Sequence, residues 1–163
     1  MSSPVTKDAR LSQLNPQSTA QVAGHPIHAM LVPIPVVCFV GTLVTDIAYW
    51  FTANMQWANF SVWLLSVGLI GAALAALAGM IDFFGDRRIR RIRTAWIHAA
   101  GNAVALALSI INVFVHSRDA YTSVVPTGLI LSAVVVLILG LTGWLGAGLV
   151  HRYGVGVQGG ERA

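Results

Sequence analysis

The fold of this chain is decided by residues 60–115, which read FSVWLLSVGLIGAALAALAGMIDFF, GDRRIRRIRT and AWIHAAGNAVALALSIINVFV in succession. Two long apolar runs flank a short loop that holds five arginines. A helix of about 20 apolar residues crosses the hydrocarbon core of a bilayer. In lipid, a helix satisfies its backbone hydrogen bonds within its own segment. The stretch therefore predicts two antiparallel transmembrane helices joined by a basic loop.

Further apolar runs lie on both sides of this hairpin, and the composition of the whole chain agrees with a membrane protein. Of the 163 residues, 56% are hydrophobic and 10% are charged, whereas soluble chains carry about 25% charged residues. We predict an all-α integral membrane protein, a four-helix up-down bundle with short loops. The predicted parts are a polar cytoplasmic tail (1–24), a membrane domain (25–153) with helices at about 29–51, 60–84, 95–115 and 124–150, and a flexible C-terminal tail (154–163).

The arginine loop also predicts the orientation of the bundle. Short loops rich in lysine and arginine stay on the cytoplasmic side of a membrane. With four spans, both termini then lie on that side too, an N-in/C-in topology. Nine of the ten lysines and arginines agree with this topology, and Arg118 is the exception. Outside the loop, the agreeing residues are Lys7, Arg10, Arg152 and Arg162.

Several classes of function are disfavoured by the residues themselves. Cys38 is the only cysteine, so the chain has neither an intrachain disulfide nor a CxxC pair. The basic residues cluster at a membrane edge, which indicates topology and not nucleic-acid binding. The sequence has no hydrolase constellation and no phosphate-binding glycine loop after a strand. We therefore do not expect an enzyme or a nucleic-acid partner.

Polar residues recur at helical spacing inside the apolar runs, and in lipid such groups face the bundle interior. The third predicted helix carries them along one face: His98, Asn102, Ser109, Asn112 and His116. With the predicted topology they fall into two zones. The cytoplasmic zone holds His25, His28, Asp82, His98 and His151, and the outer zone holds Asp46, His116, Arg118 and Asp119. We expect the cytoplasmic zone, which is richer, to be the functional one.

Each of these features also has a purely structural interpretation. His25 and His28 fit the interfacial start of a helix, where proline is tolerated in the first turn. Asp82 fits an ion pair with the arginines that follow it at the membrane edge. His98 fits a buried polar lock that holds neighbouring helices together. The arginine loop fits a topology signal, with anionic lipid headgroups as an additional partner.

Three motifs resemble the bacterial membrane family called domain of unknown function 2231. They are the HPxH of residues 25–28, the GxxD of residues 79–82 and the HxxxN of residues 98–102, and the similarity extends from Gly24 to about Tyr153. The resemblance implies a four-helix protein of the bacterial inner membrane. Relatives joined to iron–sulfur or c-type cytochrome domains imply a redox setting. Many relatives have a further histidine shortly after HPxH, whereas this chain has Ala29 and Pro33 there.

The leading hypothesis is a redox-linked membrane protein that binds b-type haem or a metal ion. Haem iron takes two axial histidines from facing helices, so we predict His28 and His98 as ligands, with His25, Asp82 and Asn102 around them. In the alternative metal site, His25, His28, Asp82 and His98 are the ligands. Redox or other membrane proteins are the expected partners besides the lipid bilayer.

The alternative hypothesis is a non-redox membrane protein, either a proton or small-solute pathway or an accessory subunit. In it, the polar line of the third helix is a hydrogen-bonded relay or a structural lock. A pathway through four short-looped helices would be thin, which favours a homo-oligomer in that case.

Overall fold

Four long helices account for the four apolar runs. The computed structural model describes residues 15–118 and 122–157. Its elements are β1 (Gln21–Val22), β2 (His25–Pro26), α1 (Ile27–Leu31), α2 (Pro33–Thr52), α3 (Met55–Gly85), α4 (Arg87–Arg90), α5 (Arg93–His116), a short helical segment (Val124–Gly128) and α6 (Leu129–Tyr153). Four spans are long and apolar enough to cross a membrane: Ile27–Thr52, Met55–Gly85, Arg93–His116 and Val124–Tyr153.

The helices are somewhat longer than the apolar runs alone predict, because local capping sets their ends. Before α3, the side chain of Asn54 accepts a hydrogen bond of 3.0 Å from the amide of Gln56, so the helix starts at Met55 and not near residue 60. At the other end of the chain, α6 runs to Tyr153 and stops at Gly154, which adopts a left-handed backbone with φ of 63°.

The bundle is built from neighbouring antiparallel pairs. Helix α2 packs on α3, α3 on α5, α5 on α6, and α6 returns to α2, so the four long helices form a closed ring. Large apolar side chains cover the outside: Trp63, Leu137, Leu141 and Trp144 are each 69–81% exposed. Such a surface is stable in lipid and not in water. The predicted four-helix membrane bundle is therefore confirmed.

An apolar layer fills the middle of the bundle. Phe39, Leu65 and Val135, each 2% exposed, come from α2, α3 and α6 and pack together, with Leu108 of α5 against them. Smaller apolar clusters close the two ends. One end carries the arginine loop, residues 86–93, and we call it the arginine end; the other is the opposite end.

Residues 15–24, which belong to the predicted polar tail, pack against the bundle. Strands β1 and β2 pair in an antiparallel hairpin. Asp82 anchors the segment, since its Oδ1 accepts hydrogen bonds from the Ser18 hydroxyl (2.9 Å) and the Ala20 amide (2.7 Å). The amide of Gly156 donates to the carbonyl oxygen of Pro16 at 2.9 Å. The start and the end of the described chain thus meet at the arginine end.

Replacing Asp82 with alanine is expected to release this segment while the bundle stays folded. Hydrogen bonds to a charged group contribute about 1.5–3 kcal/mol, so the Ala20 amide should exchange with solvent roughly 10- to 100-fold faster. Hydrogen–deuterium exchange in detergent measures the effect. Asp82→Asn keeps an acceptor and should give a smaller acceleration. Unchanged exchange in Asp82→Ala would mean that the contacts of residues 16 and 156 hold the segment alone.

Some sequence predictions lie outside the described residues. Among the basic residues used for topology, these are Lys7, Arg10 and Arg162, and in the outer zone Asp119. The same applies to the tail residues 1–14 and 158–163.

Candidate functional site

Two polar centres lie inside the bundle, one toward each end. The first, which we call the histidine pair, consists of His28 and His98. The second, which we call the aspartate cluster, consists of Asp46, Ser61, Asn112, His116 and Ser132. The apolar layer of Phe39, Leu65 and Val135, with Leu108 of α5 packed against it, lies between them.

The histidine pair joins the first and third membrane spans, which are not neighbours in the ring. The rings of His28 on α1 and His98 on α5 face each other edge to face, with centroids 6.2 Å apart and planes at 84°. His28 Nδ1 donates to the carbonyl oxygen of Ala75 on α3 at 2.8 Å. His98 Nδ1 donates to the carbonyl oxygen of Thr142 on α6 at 2.9 Å. With Nδ1 as the donor, each neutral ring has its lone pair on Nε2.

Glycines make room for both rings. A Cβ atom added to Gly79 would lie 3.0 Å from Nδ1 of His28, and one added to Gly146 would lie 3.0 Å from Cε1 of His98. Both distances are shorter than ordinary van der Waals contact. Gly79 of the GxxD motif therefore leaves the space that the ring of His28 of the HPxH motif occupies. Sequence spacing alone does not reveal this packing relation.

Asn102 is the one predicted neighbour that the structure brings to the pair. Its Nδ2 donates to the carbonyl oxygen of His98 at 2.8 Å and lies 3.3 Å from His98 Nε2. The Thr142 hydroxyl donates to Asn102 Oδ1 at 3.3 Å. The amide thus spans α5 and α6 beside the His98 ring.

The other predicted members of this site are engaged elsewhere. Asp82 binds Ser18 and Ala20, His25 is exposed in β2, and His151 is exposed near the end of α6. Within residues 15–118 and 122–157, no three His, Cys, Asp or Glu side chains are arranged to hold one metal ion. The four-ligand set of His25, His28, Asp82 and His98 is therefore not assembled in this conformation.

The aspartate cluster draws side chains from all four long helices. Asp46 of α2 is 0% exposed, and its Oδ1 accepts from the hydroxyl of Ser61 on α3 at 2.6 Å. Its Oδ2 accepts from the hydroxyl of Ser132 on α6 at 2.6 Å. His116 of α5 brings Nε2 to 3.0 Å from Asp46 Oδ1. Nδ2 of Asn112 donates to Ser132 at 2.9 Å and extends the network.

The hydrogen bonds of His116 indicate how charge is distributed in the cluster. Its Nδ1 lies 3.0 Å from the carbonyl oxygen of Asn112, which can only accept, so Nδ1 carries a proton. Its Nε2 faces a carboxylate that already accepts two hydroxyl protons. This arrangement suits an imidazolium paired with a carboxylate, the combination that stabilises two buried charges against their desolvation.

Asp46 and His116 belong to the predicted outer zone, but their hydroxyl partners are not among the residues predicted from the sequence. Ser61 and Ser132 are single serines in apolar runs, and Thr45, whose hydroxyl lies 2.7 Å from that of Ser61, looks like an ordinary helical threonine. A signal was available, because Ser and Thr side chains in transmembrane helices hydrogen-bond across to neighbouring helices.

The polar line of α5 is divided into two parts. Between the two centres, the Ser109 hydroxyl donates to the carbonyl oxygen of Ala105 on its own helix at 2.8 Å. The hydroxyl of Thr42 on α2 likewise donates to the carbonyl oxygen of Cys38 on its own helix at 2.9 Å. A hydroxyl that donates to the carbonyl oxygen one turn earlier on its own helix is already hydrogen-bonded there and does not link neighbouring helices. His98 and His116 are 18 residues apart, about 27 Å along the helix.

At the arginine end, Asp86 organises the loop. Its Oδ1 accepts from the amide of Arg88 at 2.8 Å and so caps α4. Its Oδ2 lies 2.7 Å from Nη2 of the same arginine in an ion pair. The guanidinium of Arg88 holds the pKa of the Asp86 carboxyl below its usual range, although partial burial opposes this.

Asp86→Asn is expected to lower stability at neutral pH by less than about 1 kcal/mol, the value of a surface ion pair. A lowered folded-state pKa adds stability above the unfolded pKa of about 3.9, and this stability is lost as pH falls through the folded value. The difference from the unmodified protein should therefore be constant from about pH 5 to 7 and shrink below about pH 4. Thermal unfolding in detergent over this pH range measures it. Equal differences at both extremes would contradict the role of the charge.

Fold and site together define the class of this protein. It is a four-helix integral membrane protein with a half-buried histidine pair and a fully buried aspartate cluster. The chain belongs to the family described as "Predicted membrane protein (DUF2231)", which matches residues 24–159. This confirms the resemblance drawn from the three motifs. No curated protein and no solved structure matches the chain.

Proposed function

We propose that this protein resides in the bacterial inner membrane with both termini in the cytoplasm, and that His28 and His98 bind a redox cofactor. The orientation rests on the arginine loop and the positive-inside rule. Residues 15 and 157, at the limits of the described chain, lie at the same end of the bundle as that loop, since Asn15 contacts Gly154 and Asp82 holds Ser18.

One observation carries the cofactor proposal: two histidines from separate helices face each other with both Nδ1 atoms fixed by backbone carbonyls. A metal-binding histidine commonly donates its second ring N–H to such an acceptor, which orients the ring and makes it a better ligand. Ala75 and Thr142 provide these carbonyls. Two imidazoles that bind one metal atom at about 2.0–2.1 Å have centroids at most about 6.5 Å apart. The distance of 6.2 Å between the two ring centroids is within this limit.

The donor set favours b-type haem over an isolated metal ion. Haem iron needs only two axial ligands from the protein, whereas a metal ion held by protein alone needs three or four. The described residues bring two histidines together and no third ligand of the His, Cys, Asp or Glu type. When bound, haem would supply one-electron transfer. Asn102 would give up its contact of 3.3 Å with His98 Nε2 and keep its stronger bond to the His98 carbonyl.

The test is the ultraviolet–visible spectrum of the purified protein, oxidised and reduced, combined with elemental analysis. The protein is expressed with haem precursor and iron and purified in mild detergent. We expect a Soret band that shifts on reduction, with about one haem per chain. A stoichiometric metal without a Soret band would favour the metal-ion form. Neither chromophore nor stoichiometric metal would refute the cofactor proposal.

A second candidate function follows from the aspartate cluster: a non-redox protein in which the buried polar residues lock the bundle. Asp46 joins hydrogen-bond donors from α3, α5 and α6 at once. The apolar layer and the self-bonded hydroxyl of Ser109 favour a lock over a continuous proton relay. Reconstituted protein that conducts protons at a rate sensitive to Ser109→Ala would instead support the relay.

A further inference from the structure

Positive charge at the arginine end is not balanced by carboxylates of the described residues. Asp86 pairs with Arg88, and Asp82 accepts from Ser18 and Ala20. The remaining arginines of this end have no salt-bridge partner within residues 15–118 and 122–157. They are Arg87, Arg90, Arg91, Arg93 and Arg152, and all except Arg90 are exposed.

Arg90 lies over an aromatic surface on the outside of the bundle. Its guanidinium carbon is 6.0 Å from the ring centroid of Phe84. Phe83 contacts Phe84 and Trp96 edge to face, with centroids 5.4 Å and 4.8 Å apart. Trp96 Nε1 donates to the carbonyl oxygen of Arg90 at 2.9 Å and ties the loop to α5. Phe84 is 62% and Trp96 is 54% exposed, so this surface faces the lipid.

The guanidinium of Arg90 is only partly exposed. Its Nε is buried and has no hydrogen-bond partner among the described residues. Because this atom is closed to solvent, it is closed to a lipid as well, and a headgroup outside the bundle can reach only the two Nη groups of the guanidinium. The planar guanidinium matches the geometry of a phosphate group, to which it can donate two hydrogen bonds. At the edge of a bilayer, lipid phosphates are the most abundant groups of this kind.

We propose that the arginine loop binds the headgroup of an anionic phospholipid. The phosphate accepts hydrogen bonds from Arg90, and the exposed Arg91 and Arg93 add attraction for a net negative headgroup. The acyl chains lie along the aromatic surface of Phe84 and Trp96. This apolar continuation favours a lipid over free phosphate, which would gain nothing from it. The proposal is independent of any cofactor at the histidine pair.

The experiment is a lipid titration of the full chain in an uncharged detergent, read by native mass spectrometry. Phosphatidylglycerol and phosphatidylcholine of equal chain length are the probes. We expect phosphatidylglycerol to bind more tightly, and Arg90→Gln to weaken its binding about fivefold or more, the effect of one arginine near a lipid surface. Arg152→Gln, which removes the same charge at the same end but on α6, should change binding less than twofold.

Three results would overturn the proposal. Equal binding of the two lipids would exclude recognition of the negative headgroup. Equal losses in Arg90→Gln and Arg152→Gln would mean diffuse attraction without a site on the loop. Competition by glycerol phosphate as effective as that by the lipid would mean that Phe84 and Trp96 contribute nothing and that the ligand is a free phosphate. Circular dichroism of both variants verifies that they remain folded.

Discussion

Replacing His116 with alanine should destabilise the bundle by about 3–5 kcal/mol, the largest stability loss that we expect from any single substitution here. The change removes the imidazole ring whose Nε2 lies 3.0 Å from Asp46 and leaves a carboxyl group that is 0% exposed without this partner. Ser61 and Ser132 still donate to Asp46, but neutral hydroxyls offset only part of the cost of a buried charge. Reversible unfolding in mixed detergent micelles measures the loss.

The matched control is Ser109→Ala. Ser109 is also 0% exposed on α5, but its hydroxyl bonds only to its own helix, so we expect a loss of about 1 kcal/mol or less. The substitution Asp46→Asn, made both in the unmodified protein and in His116→Ala, tests the charge of the carboxylate itself. Asp46→Asn should destabilise the unmodified protein but stabilise His116→Ala, because there it removes the unpaired carboxylate. A loss in His116→Ala no larger than that in Ser109→Ala would contradict the ion pair.

His98→Ala and His28→Ala should each abolish cofactor binding if the proposed function is correct, since an axial ligand cannot be supplied by a methyl group. The haem-to-protein ratio should fall from about one to below about 0.1 in either variant. His25→Ala is the matched control: it lies three residues before His28, it is exposed in β2, and it has no part in the pair. Its ratio should stay near one.

Imidazole distinguishes a missing ligand from a damaged bundle. His98→Ala leaves a space beside Gly146 in which free imidazole fits, and added imidazole should restore the low-spin spectrum of the haem. Full cofactor content in His98→Ala would remove that residue from the ligand set. Loss in all three variants, including His25→Ala, would place the effect in folding and not in ligation.

The two centres differ in what they can contribute to function. The histidine pair is half-buried and Nε2 of His98 has only the 3.3 Å contact with Asn102, whereas the aspartate cluster is sealed and both carboxylate oxygens of Asp46 accept hydrogen bonds. A sealed and satisfied network rigidifies the part of the fold that holds it. We therefore expect the opposite end of the bundle to be the rigid one, with ligand chemistry confined to the half nearer the arginine loop.

The candidate site could be predicted from the sequence only in part. Helical spacing identified His28 and His98 as inward-facing residues at similar depth, and the structure brings their rings to 6.2 Å. The same reasoning grouped Asp82 and His25 with them. Asp82 instead binds the polypeptide before β1, because a carboxylate near a helix end is satisfied by any amide that reaches it, and spacing along α3 carries no information about residues 18–20.

What the sequence determined by itself is the number of spans, their antiparallel order and the polar face of the third helix. These depend on length, hydropathy and a period of 3.6 residues, which are properties of one segment at a time. Only the tertiary structure decided which polar faces meet. Asp46, Ser61, His116 and Ser132 come together because the depth and rotation of the helices are set by packing, as where Gly128 leaves room for the His116 ring. That fit depends on pairs of surfaces, and no period within a single helix encodes it.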